Sequence, residues 1–137
     1  MAGPTTPGLA DLRAYRWAPF VEKIGIEGAD LSGATLRMQI RSYRDAPGAP
    51  LVDLMNAATN AQGLSVAVSV VGAVPTSLIQ IRINETTIEQ LLPFPASGLE
   101  PGADVELVWD MLISGAGFTK ARWFEGAFTI VPGATQA

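Results

Sequence analysis

The feature that most constrains this chain is a series of short segments in which apolar and polar residues alternate, separated by glycine and proline. In the cleanest segment, residues 34–41, Leu36, Met38 and Ile40 alternate with polar residues. Alternation with a period of two is typical of a β-strand with one buried and one solvent-facing side. Further strand candidates are residues 21–27, 51–54, 64–70, 79–83, 105–113 and 118–131. Seven strands at this spacing predict an all-β, antiparallel, immunoglobulin-like β-sandwich, with a β-barrel as the alternative topology.

Two local irregularities are predicted within this pattern. A short helix follows residue 83, with Asn84 suited to its N-cap and with capping-box spacing between Thr86 and Glu89. Prolines at positions 93 and 95 end this helix within about two turns. The last strand contains Gly126, which predicts a β-bulge at that position.

The chain has 137 residues, the length of one domain. We divide it into an extended N-terminal arm (residues 1–18), a β-sandwich domain (residues 19–132) and a C-terminal tail (residues 133–137). The arm contains prolines that argue against a strand in the domain's own sheet, and it is too short for an independent helix. Because it carries several large apolar residues, we expect it to dock on a neighbouring subunit, with Trp17 as its most buried residue. A disordered terminus is the alternative interpretation.

Composition excludes several classes of function. The chain has no cysteine and no histidine, which removes disulfides, Cys/His zinc sites, thiol nucleophiles and histidine triads. Its net charge of −4 provides no electrostatic attraction to nucleic acid or to anionic lipid. No apolar run approaches the length that spans a bilayer, and the first twenty residues contain no secretory signal. Only 16% of residues are charged, which favours a protein that is packed into an assembly.

Carboxylates are the remaining candidates for catalysis. Asp110 and Glu125 are placed to face each other across the last hairpin, close to Lys120 and Arg122. Basic neighbours on the same hairpin indicate an exposed cross-strand charge cluster rather than the acid pair of a glycosidase. We therefore expect no enzymatic activity, no catalytic residue, no cofactor and no metal site.

Aromatic side chains outside the predicted core suggest a binding surface. Tyr43 lies in a predicted loop, and Phe94 lies in the proline-rich segment after the helix. Trp123 and Phe124 are adjacent, so in a regular strand one of them points to the outer face. Such rings are typical of protein interfaces and sugar-binding platforms, although the arm or the helix of the same chain is an alternative cover. The predicted partner-binding residues are Leu9, Leu12, Tyr15, Trp17, Tyr43, Phe94 and Trp123.

Three segments resemble a known group of proteins. Residues 30–41 (DLSGATLRMQIR) are similar to a "DLTGxTxRMQVR" segment, and residues 109–113 (WDMLI) are similar to a "YDLEL" strand. Residues 120–132 (KARWFEGAFTIVP) resemble a closing "TRLLEGRFTVxPEVT" segment. In this order the motifs resemble small tailed-phage and prophage proteins related in style to the N-terminal domain of baseplate upper proteins. The similarity covers residues 24–135, while the arm and residues 54–87 depart from the pattern.

The resemblance implies a β-sandwich virion protein without enzymatic activity. We therefore expect an adaptor domain in the tail tip, baseplate or fibre-attachment region of a tailed bacteriophage. Its expected partners are other tail or baseplate proteins and copies of itself, with no nucleic acid and no membrane span. One alternative is a carbohydrate- or receptor-binding β-sandwich that stacks a host-surface glycan on Tyr43, Phe94 or Trp123. A capsid-decorating protein is the other.

Overall fold

The protein folds into two β-sheets and one short helix in a computed structural model that describes residues 4, 6–91 and 102–133. The elements are β1 (Gly8–Leu9), β2 (Leu12–Tyr15), β3 (Phe20–Glu27), β4 (Thr35–Arg41), β5 (Val52–Met55), β6 (Gly63–Val71), β7 (Val74–Ile83), α1 (Glu85–Gln90), β8 (Val105–Gly115) and β9 (Phe118–Val131). The predicted all-β sandwich is confirmed, and all seven strand candidates form strands whose ends differ by a few residues from the prediction.

Sheet A is the larger sheet, with strand order β1-β9-β8-β4-β5 and β2 also paired to β9. Sheet B contains three strands in the order β3-β7-β6. Adjacent strands are antiparallel, except that β1 and β2 run parallel to β9. Strands that are distant in sequence, such as β4 and β8, therefore lie side by side in sheet A.

The core consists of the alternate residues that each sheet turns inward. Leu36, Met38 and Ile40 are fully buried, as their alternation predicts. Sheet B contributes a matching row of fully buried isoleucines, which are Ile79, Ile81 and Ile83. Burial of each such side chain stabilises the fold by about 1.5–3 kcal/mol, so these two rows contribute much of the stability.

The N-terminal segment belongs to this fold, so the expectation that it lies outside the domain's own sheet is wrong. Leu12–Tyr15 pairs residue by residue with positions 128–131 of β9. Leu12 and Ala14 are buried in the common core. The prolines do not interrupt the pairing because they lie at positions 4 and 7, before β1 begins at Gly8.

Gly126 leaves room for the backbone between β1 and β2, which lies over β9 at this residue, and it is not the site of a bulge. It pairs regularly with Trp109, and a Cβ at this position would overlap the main-chain carbonyl of Ala10. That carbonyl accepts a hydrogen bond from Trp109 Nε1 at 2.9 Å. Next to it, Asp11 Oδ1 accepts a hydrogen bond from the Ala127 N–H at 3.0 Å. Glycine is required here by the close approach of another backbone.

One register shift of β9 is a β-bulge at Trp123, and a second lies nearer the hairpin turn, between the pairs of Ile113 and Gly115. Met111 pairs with Phe124 and Leu112 pairs with Arg122, which leaves Trp123 as the extra residue. A bulge suspends the rule that neighbouring side chains point to opposite faces. Trp123 is therefore only 7% exposed and packs edge-on against Phe118, while Phe124 is partly buried against the same core.

Helix α1 forms where it is predicted, but Gln62 contacts its N-terminus, and the Asn84 side chain does not cap it. Asn84 occupies the N-cap position without a capping hydrogen bond from its side chain. The Oε1 atom of Gln62 accepts hydrogen bonds from the Asn84 N–H and from Thr87 Oγ1, both at 2.9 Å. Because Thr86 lies inside the helix, the predicted capping box with Glu89 does not form. The prolines at 93 and 95 lie outside the described residues.

Candidate functional site

A groove of about 340 Å³ lies on the outer face of sheet A. Its floor is formed by outward-facing residues of β4, β8 and β9, and one wall is the loop that follows β4. Arg37, Gln39 and Arg41 reach the groove because they alternate with the buried row of β4. The ionisable residues that line it are four arginines and three acids: Arg37, Arg41, Arg44, Arg122, Asp45, Asp110 and Glu125. We call it the sheet A groove.

Two carboxylates lie opposite each other on the groove floor. Asp110 and Glu125 are direct cross-strand partners on β8 and β9, as the sequence predicts. Arg122 Nε lies 3.2 Å from Asp110, and Arg44 Nη1 lies 2.8 Å from Glu125. Each acid is thus paired with its own arginine, of which Arg122 belongs to the predicted charge cluster and Arg44 does not. The predicted neighbour Lys120 does not line the groove.

Arg37 is held in place by an acid at the edge of sheet A. Its Nε and Nη2 atoms donate to the two carboxylate oxygens of Asp53 at 3.1 and 2.8 Å. This two-point geometry fixes the guanidinium plane. The hydrogen bond from Arg37 lowers the pKa of Asp53, and the same bond raises the pKa of Arg37.

Arg41 holds the loop that forms the groove wall. It donates through Nη1 to the carbonyls of Ala46 and Gly48, each at 2.8 Å, and through Nη2 to Gln39 Oε1 at 3.0 Å. The loop between Arg41 and its acceptor Ala46 carries Tyr43, whose side chain is 59% exposed at the groove. A surface arginine that closes a loop in this way positions the exposed ring beside the charged floor.

The groove therefore offers many fixed hydrogen-bonding groups and one exposed aromatic ring. Its four arginines and three lining acids, together with the Asp53 partner of Arg37, leave little net charge. Such a surface suits a polar partner that matches its pattern of donors and acceptors, rather than a polyanion. Within the described residues, no group of histidine, cysteine or acidic side chains is arranged to hold a metal ion.

Of the residues predicted to bind a partner, one lies in the groove. Tyr43 lines it, whereas Leu12 and Trp123 are buried in the core. Leu9 and Tyr15 are exposed on β1 and β2. Phe94 lies outside the described residues.

Trp17 packs within its own chain. Its ring contacts the Cα region of Gly133, and the guanidinium of Arg16 lies 4.3 Å from the ring centroid. Trp17 is half-buried, so Leu12 and Ala14 are more buried than the residue that was expected to anchor the arm.

The arginines of the groove were not predicted as site residues. The alternation of Arg37 and Arg41 with buried residues does place them on the outer face. That they line one groove with residues of β9 depends on the strand order of sheet A, which periodicity does not reveal.

Comparison with models of known protein families and with curated proteins finds no match for this chain. Among the residues that the structure describes, no helix has the length and apolar character needed to cross a membrane.

Proposed function

We propose that this protein is a structural virion component of a tailed bacteriophage, an adaptor domain in the tail tip, baseplate or fibre-attachment region. One observation carries the proposal. The segments that resemble phage structural proteins contribute to β4, β8 and β9, which are consecutive strands of sheet A. Outward-facing residues of these three strands form the floor of the sheet A groove. The strands that carry the resemblance thus contribute to one continuous surface.

The groove has the properties of a surface that binds another subunit. Its ion pairs fix the side chains before a partner arrives, which reduces the entropy lost on binding. Tyr43 and Arg44 project from the wall, and tyrosine and arginine are the residue types that often dominate binding energy at interfaces. The proposal assigns no catalytic role to Asp110 and Glu125, since each is paired with an arginine.

Purified phage particles test this proposal. We expect mass spectrometry to find the chain in particles, and antibody labelling to place it at the tail. Its absence from particles that retain complete tails would overturn the proposal, and labelling of heads would favour a capsid-decorating protein instead.

A complementation experiment tests the groove itself. Phage lacking the gene would be supplied with the wild-type chain, Arg44→Ala or Arg13→Ala. Both arginines are exposed and ion-paired, but only Arg44 lines the groove. We expect Arg44→Ala to reduce incorporation into particles and Arg13→Ala to leave it unchanged. Equal incorporation of both variants would show that the groove does not bind a neighbouring subunit.

Carbohydrate or receptor binding is the second candidate, and the exposed ring of Tyr43 beside guanidinium and carboxylate groups favours it. Sugars combine hydrogen bonds with stacking on an aromatic face, which this corner of the groove provides. Glycan-array binding that is lost in Tyr43→Ala and retained in Tyr15→Ala would support this function. Tyr15 is similarly exposed but lies on β2. No binding at millimolar sugar would count against it.

A further inference from the structure

The edge strand β6 of sheet B has an unpaired side. Its first residues are covered, because Leu64 bridges to Asn56 and its carbonyl accepts the Ala57 N–H at 2.8 Å. Beyond that point, no strand in the described part of the chain pairs with residues 65–71 on this side. Within the described residues, sheet B therefore ends in a run of backbone that has no strand partner.

The direction of the Leu64 carbonyl identifies the free backbone groups. It points away from β7, and in an antiparallel ladder the N–H and C=O of one residue share a side while successive residues alternate. Val66, Val68 and Val70 consequently present their N–H and C=O groups at the free edge. These groups are placed to pair with another strand.

The usual protection of such an edge is missing from β6. Natural edge strands are commonly guarded by charged side chains, proline or a bulge. The opposite edge, β3, carries Glu22, Lys23 and Glu27, whereas residues 54–81 contain no charged side chain. Val70 is 63% exposed at the far end of β6.

We infer that β6 pairs antiparallel with β6 of a second copy of this chain, around a two-fold axis at Val68. An axis at Val68 sets Val66 of each copy against Val70 of the other. All outward N–H and C=O groups of the three valines then find partners, which joins the two copies of sheet B into one continuous sheet. This inference is independent of the proposed function.

Charge explains why a second copy fits this edge. A two-fold axis brings identical surfaces together, so every charge on such a surface meets its own kind. The chain carries a net charge of −4, but its uncharged β6 avoids that repulsion. The same operation at β3 would bring the glutamates of both copies into one ladder. The paired stretch of residues 65–71 is about 24 Å long, which is short for an interface and predicts a concentration-dependent dimer.

Sedimentation of the full chain from micromolar to millimolar concentration tests the dimer. We expect the wild type to shift from monomer to dimer and Val70→Lys to remain a monomer. Val74→Lys is the matched control, because Val74 is exposed on the same hairpin but pairs with Val71 from β7, on the side of β6 away from its free edge. A wild type that stays monomeric throughout, or equal dimerisation by both variants, would overturn the inference. Thermal melts of each variant at low concentration verify that it is folded.

Disulfide cross-linking tests the position of the axis, and the chain is suited to it because it has no cysteine of its own. In Val68→Cys the two introduced residues face each other, with Cα atoms about 5.5 Å apart, within the range of a disulfide. In Val70→Cys they lie about 14 Å apart along the strands, which is too far.

We therefore expect rapid oxidation to a covalent dimer for Val68→Cys and slow oxidation for Val70→Cys. Random collision would give the opposite order, since position 70 is the more exposed of the two. Faster cross-linking at position 70 would overturn the two-fold axis at Val68.

Discussion

The two sheets share one core but differ in the polar contacts on their outer sides. All four ion pairs of the described residues join elements or loops of sheet A: Arg13–Asp104, Arg37–Asp53, Arg44–Glu125 and Arg122–Asp110. The charged residues of sheet B form no ion pair within that part of the chain. Sheet A is thus cross-linked by side chains, whereas sheet B is held by its backbone ladder and the core.

This difference indicates two modes of association. The sheet A groove presents side chains in fixed positions, which is suited to recognition of a particular partner. Sheet B presents free N–H and C=O groups at β6, which is suited to the addition of a strand. Substitutions in each sheet should therefore have different consequences.

Removal of residues 1–16 is expected to have the largest effect on stability, and it tests how sheet A is assembled. The truncation removes β1 and β2, leaves the edge of β9 unpaired and takes Leu12 and Ala14 out of the core. We expect the free energy of unfolding to fall by roughly 3 kcal/mol or more in urea denaturation. Removal of residues 1–6 is the control, because it leaves both strands intact. Equal stability of the two truncated proteins would show that pairing with β9 does not stabilise sheet A.

The substitutions Gly126→Ala and Gly25→Ala compare how much stability each sheet loses when a glycine inside one of its strands gains a side chain. In Gly126→Ala the new Cβ overlaps the Ala10 carbonyl and displaces its bond to Trp109, so we expect a loss of about 2–4 kcal/mol. In Gly25→Ala the new Cβ only touches Leu78, at 3.9 Å, so we expect a change below about 1 kcal/mol. Thermal melts of the two variants provide the measurement. A similar melting temperature for both would mean that the Ala10 carbonyl does not pack against Gly126.

Gly126 also shows how far the sequence predicts the fold. Alternation predicts β3 to β9 and the buried rows on β4 and β7, because a period of two is a local property. It does not single out β2, because the prolines at positions 4 and 7 argue against a strand in this segment, although both precede β1. Gly126 is visible in the sequence, but its reason is a backbone more than a hundred positions away. A bulge was therefore expected at Gly126, although it lies at Trp123.

The candidate site was predictable to a similar extent. The pairing of Asp110 with Glu125 follows from the hairpin, and the outward position of Arg37 follows from its strand. The partner of Glu125 does not follow, because Arg44 reaches it from a loop after β4. Contacts between elements that are distant in sequence depend on strand order, and the groove consists of such contacts.

Ser77 makes one of the polar side-chain contacts of sheet B, and its substitution tests that contact. Its buried hydroxyl donates to the Ala29 carbonyl at 2.7 Å and accepts the Leu31 N–H at 2.9 Å. In Ser77→Ala both backbone groups lose their partner inside the protein, so we expect a loss of about 1–3 kcal/mol in urea denaturation. Ser69→Ala, at an exposed position of β6, should change stability by less than about 0.5 kcal/mol. If the two variants were equally stable, the loop between β3 and β4 would not depend on sheet B for its position.

The smallest expected effect is a pH dependence that belongs to sheet A. The hydrogen bond from Arg37 lowers the pKa of Asp53 below the ordinary value of 3.8, so the folded state binds this proton less readily than the unfolded state. The pair therefore stabilises the fold above that value, and the contribution disappears as the pH falls through the lower pKa of the folded state. Because both side chains are partly exposed to solvent, we expect Asp53→Asn to cost less than about 1 kcal/mol at neutral pH. The difference in unfolding free energy between Asp53→Asn and the wild type should vanish in acid.

The control for this pair is a double-variant comparison. Arg37→Gln should give the same pH profile as Asp53→Asn, and the double variant should lose no more stability than either single variant. Fully additive losses would show that the two residues act independently, and that sheet A is not stabilised by this cross-link.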